Sequence, residues 1–186
     1  MDTDWLKSLL PLKGAAFAAL FLIVQTALAE RLADFQIIPS ADYTVADQSG
    51  QKYENSYRVS FTQRATGPTG GTCLVSFIRL PENAGLTKAE LNAFQSTRQR
   101  GRQLQSSFKP MFEADAPELL TLQGYVGHGF KLKMVGSKTQ AISNGYMVLV
   151  ETALGRMIQS CFTQPDDYEA MLPRYKALTE NIAMPE

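Results

Sequence analysis

The stretch from Tyr146 to Ile182 constrains the fold more than any other part of the chain. Tyr146 to Glu151 and Arg156 to Phe162 read as two strands joined by a short turn containing Gly155. Pro165-Asp166-Asp167 then opens a helix: proline fits a first turn whose amide would have had no partner, and the aspartates complement the helix dipole. Tyr168, Met171, Leu172, Tyr175, Leu178 and Ile182 follow at spacings of three and four, so one continuous apolar face must be buried. Pro173 interrupts this pattern and is predicted to kink the helix or split off its first turn. A hairpin leading into a helix with one apolar face demands a sheet for that face to cover.

Upstream residues supply that sheet. Residues 30–55 read as an irregular polar leading segment with a loop signal at Asp47-Gln48-Ser49-Gly50. In Tyr57 to Thr62 apolar and polar residues alternate, and Cys73 to Leu80 is apolar on both alternations, as in a strand inside a sheet. The Gly67-Pro68-Thr69-Gly70-Gly71 loop between them predicts a hairpin. Thr87-Lys88-Ala89-Glu90 matches a capping box, so a helix is expected to start there, covering the sheet with Leu91 and Phe94 and turning polar beyond Arg98, with Gly101 an interior weak point. Leu119 to Leu122 and Gly129 to Val135 complete the strand candidates. The expectation is an α+β domain: an antiparallel sheet of about six strands packed against two main helices, after an N-terminal signal peptide.

That signal is read in residues 1–29. Lys7 and Lys13 precede an uncharged run, Ala15 to Val24, and Ala27-Leu28-Ala29 offers the small residues a signal peptidase accepts. Residues 30–186 then form one domain, in keeping with a chain 45% hydrophobic and 19% charged. Cleavage leaves a periplasmic or secreted product; an uncleaved signal would tether it to the membrane. In an oxidising compartment Cys73 and Cys161, both in strand-like runs and with no CxxC spacing, are expected to form one disulfide.

The order of strand pair, helix, strand pairs and closing hairpin with helix resembles the PsbP-like superfamily of small α+β domains. The most specific part is the hairpin Gly145 to Phe162 with Gly155-Arg156 at its turn, followed by Pro165 to Glu169 (PDDYE) and Leu178 to Ile182 (LTENI). The resemblance implies an antiparallel sheet packed against helices, and a binding or assembly role in place of catalysis.

Chemistry-bearing motifs are sparse. The 18 basic and 18 acidic residues cancel, and no aromatic-interleaved basic patch favours nucleic acid. No Walker A, dinucleotide-binding or EF-hand pattern occurs, and no cofactor or metal is expected. His128, the only histidine, lies in Gly124 to Gly129 (GYVGHG) and reads as a turn residue, with a small hydrolase or metal-dependent enzyme centred on it as the alternative. Glu113, Asp115 and Glu118 read as a solvated acidic loop. The local basic concentration is Arg98, Arg100 and Arg102; steps of two on a helix turn by about 200°, so only Arg98 and Arg102 share a face. These two are the candidate binding residues. The resulting expectation is an exported, non-catalytic binding or accessory module of the cell envelope, whose partner is another envelope protein or a small ligand.

Overall fold

A computed structural model of the chain describes residues 36–37, 43–53, 56–65, 71–135 and 143–185, the first three segments as backbone; the expected signal and the loop around Pro68 lie outside the described residues. The strands in chain order are β1 (Gln36–Ile37), β2 (Tyr43–Tyr53), β3 (Ser56–Ala65), β4 (Thr72–Arg79), β5 (Phe112–Ala114), β6 (Glu118–Leu122), β7 (Tyr125–Met134), β8 (Asn144–Glu151), β9 (Gly155–Thr163) and β10 (Ile182–Ala183). The helices are α1 (Lys88–Gln95), α2 (Arg98–Phe108) and α3 (Tyr168–Glu180).

The expected α+β architecture with an antiparallel sheet is present. Its main sheet runs β2-β3-β4-β9-β8-β7-β5, with β6 also paired to β7, and β1 and β10 form a separate pair. Every pairing is antiparallel, and β5 and β6 share one side of β7: β5 opposes Leu132 to Met134, and β6 opposes Tyr125 to Gly129.

Strand β9 explains how the sheet divides two cores. Gly155, Met157, Gln159, Cys161 and Thr163 are buried, while the residues between them are only half-buried. The buried row joins Val75, Phe77, Val148 and Val150 beneath Tyr168, Met171, Leu172, Tyr175 and Leu178 of α3. On the opposite face Phe130, Leu132 and Leu149 pack under Leu104 and Phe108 of α2, with Phe108 edge-on to Phe130 at 5.0 Å. Truncating one such large core side chain costs about 2 to 5 kcal/mol. Pro173 lies inside α3 on its exposed side, and the break comes earlier: Pro165–Asp167 is a separate 3₁₀ turn.

Cys73 and Cys161 face each other in the β4–β9 register, with Cα atoms 4.0 Å apart and sulfurs 2.01 Å apart in a disulfide. Gln159 is also buried, and its amide nitrogen donates to the Tyr175 carbonyl at 2.7 Å while its oxygen accepts from the Thr179 hydroxyl at 2.9 Å. A polar side chain thus pins α3 to the sheet.

Three local expectations change. Residues 43–53 form β2 and residues 36–37 form β1, where an irregular segment was expected; pairing of β2 with β3 along its length, with a register shift between Val45 and Asp47, overrides the turn propensity of Asp47 to Gly50. The expected single helix is two. The capping box is made, with Thr87 accepting from the Glu90 amide and Glu90 from the Thr87 amide, but Ser96 bonds back to the Asn92 carbonyl and Thr97 caps a new helix by accepting from the Arg100 amide. The restart turns Leu104 and Phe108 to the sheet and leaves Phe94 half exposed, so the second half, expected to be solvated, covers a core.

Candidate binding cleft beside helix α2

Helix α2 presents different faces to different tasks. Leu104 and Phe108 hold it on the sheet. Arg100 reaches the other way at the N-terminal turn, where its guanidinium donates to Glu151 Oε1 at 2.7 Å. Arg156 donates to the same oxygen, so the buried Glu151 carboxylate is held between two cations. Arg98, Gly101, Arg102 and Gln105 form a third stripe along the helix. Steps of three and four keep them on one face.

This stripe forms one wall of a cleft of about 460 Å³, whose other boundaries are Ala116, Pro117, Leu119 and His128. Arg98 and Arg102 are exposed and make no ion pair with a described residue. His128 is 1% exposed and lies in β7, paired with Leu119 of β6 on one side and Leu149 of β8 on the other. The expected turn histidine is therefore a strand residue. The turn lies before it at Gln123-Gly124, both with positive φ, which is the geometry a two-residue hairpin demands. Glycine at 101 lets α2 approach: a Cβ there would lie 2.9 Å from Pro117 Cγ and 3.5 Å from His128 Cε1.

Both His128 ring nitrogens are closed off from solvent and have no full hydrogen bond to a described residue, while the Gln95 backbone carbonyl acts on the ring as an acceptor. Burial holds the His128 pKa below its usual value, with the Arg100 charge acting in the same direction and the Gln95 carbonyl and Glu151 opposing it. The imidazole is therefore neutral at pH 7, one nitrogen a donor and the other an acceptor. Leaving such a buried polar group without a partner costs roughly 1 to 3 kcal/mol.

The acidic residues do not join this cleft as ligands. Glu113 and Asp115 are exposed, and Glu118 turns to the opposite face of the sheet, where it accepts from the Tyr146 hydroxyl and from Lys176. Burial alone would raise the Glu118 pKa, but the Lys176 and Tyr146 hydrogen bonds and the Lys176 and Lys131 charges together lower it. Among the described residues no three His, Cys, Asp or Glu side chains are grouped to hold a metal ion. Lys88, at the start of α1, bonds to the Gln123 carbonyl and lies over the Tyr125 ring.

The sequence singled out Arg98 and Arg102 but set His128 apart from them, whereas the structure puts all three around one cleft. Gln105, Pro117 and Leu119 were not singled out. The spacing of 98, 101, 102 and 105 carried a signal for Gln105; Leu119 meets His128 only through the hairpin register.

No family model matches the chain, and no curated protein matches it in sequence. Among solved structures, PA94 of Pseudomonas aeruginosa, a protein of unknown function, is similar with 15% identity and a TM-score of 0.46, covering 73% of this chain and 95% of its own. The solution structure of cyanobacterial PsbP from Synechocystis sp. PCC 6803 is similar with 10% identity and a TM-score of 0.46, covering 82% of this chain and 93% of its own. The relationship to PsbP is a weak likeness of fold.

Proposed function

We propose that the protein is an exported, non-catalytic binding or accessory module of the cell envelope that receives an anionic group of its partner in the α2–β6 cleft. The observation carrying this reading is the placement, on one wall of one cleft, of two exposed guanidiniums that ion-pair with no described residue. A carboxylate accepts strong charge-assisted hydrogen bonds from arginines. Catalysis at His128 has less support, because no described carboxylate orients the ring and no described nucleophile hydrogen-bonds to it. Export is supported by the Ala15 to Ala29 pattern and by the Cys73–Cys161 disulfide, which suits an oxidising compartment. Among the described residues no helix is long and apolar enough to cross a membrane.

Affinity capture from envelope extracts with the wild-type chain and an Arg98→Glu/Arg102→Glu variant tests the site. The expected result is a captured partner that is lost in the variant at unchanged melting temperature and weakened for the wild type by added salt. Capture of the same partner by both proteins with the same salt dependence rejects the cleft. Detection of Glu30 as the first residue of the exported protein checks the compartment.

A further inference from the structure

The edge of the main sheet beside this cleft is unevenly covered. In β7 the odd-numbered residues direct their backbone groups toward β5 and β6: the Asp115 amide donates to the Lys131 carbonyl, and the Val135 amide to the Met111 carbonyl. With the two-residue turn at Gln123-Gly124, this register turns the amides and carbonyls of Glu118, Leu120 and Leu122 inward and those of Leu119 and Thr121 outward. At β5 the outward carbonyl of Ala114 is capped by the Gln105 amide of α2 at 2.8 Å. At β6 no backbone partner meets Leu119 or Thr121 among the described residues, Thr121 is exposed, and Leu119 is 58% exposed. Native sheets usually protect such an edge with charge, proline or a covering element.

Both faces of this edge carry a hollow. On the α2 side Leu119 borders the cleft of Arg98, Arg102 and His128. On the α3 side a second hollow of about 270 Å³ lies against Glu118, Leu120, Tyr146, Lys176 and Thr179. A strand added outside β6 would direct alternate side chains into the two hollows.

Resting on the reading of the cleft as the binding site, we infer that its occupant is an extended segment of a partner protein that adds as a strand to the outer edge of β6, which no described residue covers, with acidic side chains at alternate positions facing Arg98 and Arg102. The backbone of the segment exchanges hydrogen bonds with Leu119 and Thr121, which supplies affinity without sequence preference. The arginines select acidic residues on one face only. A second copy of this chain fits less well: antiparallel pairing of two β6 edges places both α2 helices on one face and crowds Arg98 and Arg102 of both copies together.

The probe is a blocked decapeptide alternating glutamate and valine, with its lysine–valine counterpart as control and glutarate as a small anion. Binding is followed by calorimetry and by amide hydrogen exchange of the wild-type chain. Thr121→Pro removes the outward amide while leaving the β6–β7 ladder intact, since proline is tolerated on the free side of an edge strand. The acidic peptide is expected to slow exchange at Leu119 and Thr121 at least tenfold, and to bind at least tenfold more weakly to Thr121→Pro and to Arg98→Glu/Arg102→Glu, with glutarate affected by the arginine exchange alone. Loss of peptide binding in the arginine variant but not in Thr121→Pro, without protection of the two amides, overturns strand addition and leaves the anionic cleft standing. Binding that survives the arginine exchange overturns both. Failure of the peptide to bind while glutarate binds overturns the strand, and concentration-dependent dimerisation abolished by Thr121→Pro assigns the edge to a second copy. The exchange measurement on the wild type decides the question even where Thr121→Pro does not fold.

Discussion

Gly101 of α2 packs directly against the imidazole of His128, so closely that a methyl group at position 101 would begin 3.5 Å from Cε1 and 2.9 Å from the ring of Pro117. The cleft depends on this approach. It brings Arg98, about one turn before Gly101, and Arg102, the residue after it, over the strand that carries His128, and a glycine that weakens the helix in isolation stands where the helix must come close. Replacing glycine by alanine inside a helix normally gains about 1 kcal/mol. Here the contact with Pro117 opposes the gain, since overpacking costs about 1 to 3 kcal/mol. Gly101→Ala is therefore expected to lower the melting temperature where simple helix propensity would raise it. Thermal melts of the two proteins check the sign.

His128 makes stability depend on pH. Its pKa is lowered in the folded state, so the unfolded chain binds the proton more readily. The contribution of the neutral ring is complete above the unfolded value of about 6.5 and is lost as pH falls from there through the folded pKa. His128→Gln, which cannot titrate, should lack that part of the slope. Urea unfolding of both proteins between neutral and mildly acidic pH measures the difference.

The three arginines of α2 should behave differently although they are spaced by two. Arg98→Glu/Arg102→Glu changes stability by no more than about 0.5 kcal/mol, as exposed charges usually do. Arg100→Ala leaves the buried Glu151 carboxylate to Arg156 alone. The loss of a charged hydrogen bond to a buried group predicts roughly 1.5 to 3 kcal/mol. Denaturant midpoints separate the two outcomes.

Removing residues from Tyr168 onward should unfold the domain. Tyr168, Met171, Leu172, Tyr175 and Leu178 are all buried, and at about 2 to 5 kcal/mol for each large side chain their combined loss exceeds a normal margin of roughly 5 to 15 kcal/mol. Far-ultraviolet circular dichroism of the truncated chain gives the answer: retention of a cooperative melt would contradict the two-core architecture.

The Cys73–Cys161 disulfide closes a loop of 88 positions, and both cysteines are fully buried. Its removal by Cys73→Ser/Cys161→Ser should cost on the order of 4 to 5 kcal/mol in the chain-entropy view. The same burial predicts that reductant acts only on opened molecules, so thiol release should rise with denaturant. Thiol titration across a denaturant series tests this.

The sequence alone determined the features whose cause is local or periodic. Alternation in β9 and the spacing of Tyr168 to Leu178 decided which faces are buried, because burial of apolar area requires them to lie together. The capping box at Thr87 and Glu90 decided where α1 starts, since it needs only residues three apart. The two strand-borne cysteines, with no CxxC spacing, pointed to one another as a disulfide pair. What the tertiary structure decided was longer in range. Residues 43–53 became a strand because β3 offered backbone partners, although their own residues favour a turn. The Thr97 cap broke one helix into two, and that restart turned Leu104 and Phe108 inward. His128 lay outside the expected binding site in sequence, because nothing in its neighbours gives the register that pairs it with Leu119 or the depth at which Gly101 meets it. Periodicity fixes which side of an element faces inward, but the distance between two elements is set by the side chains packed between them, and that packing is what assembles the cleft.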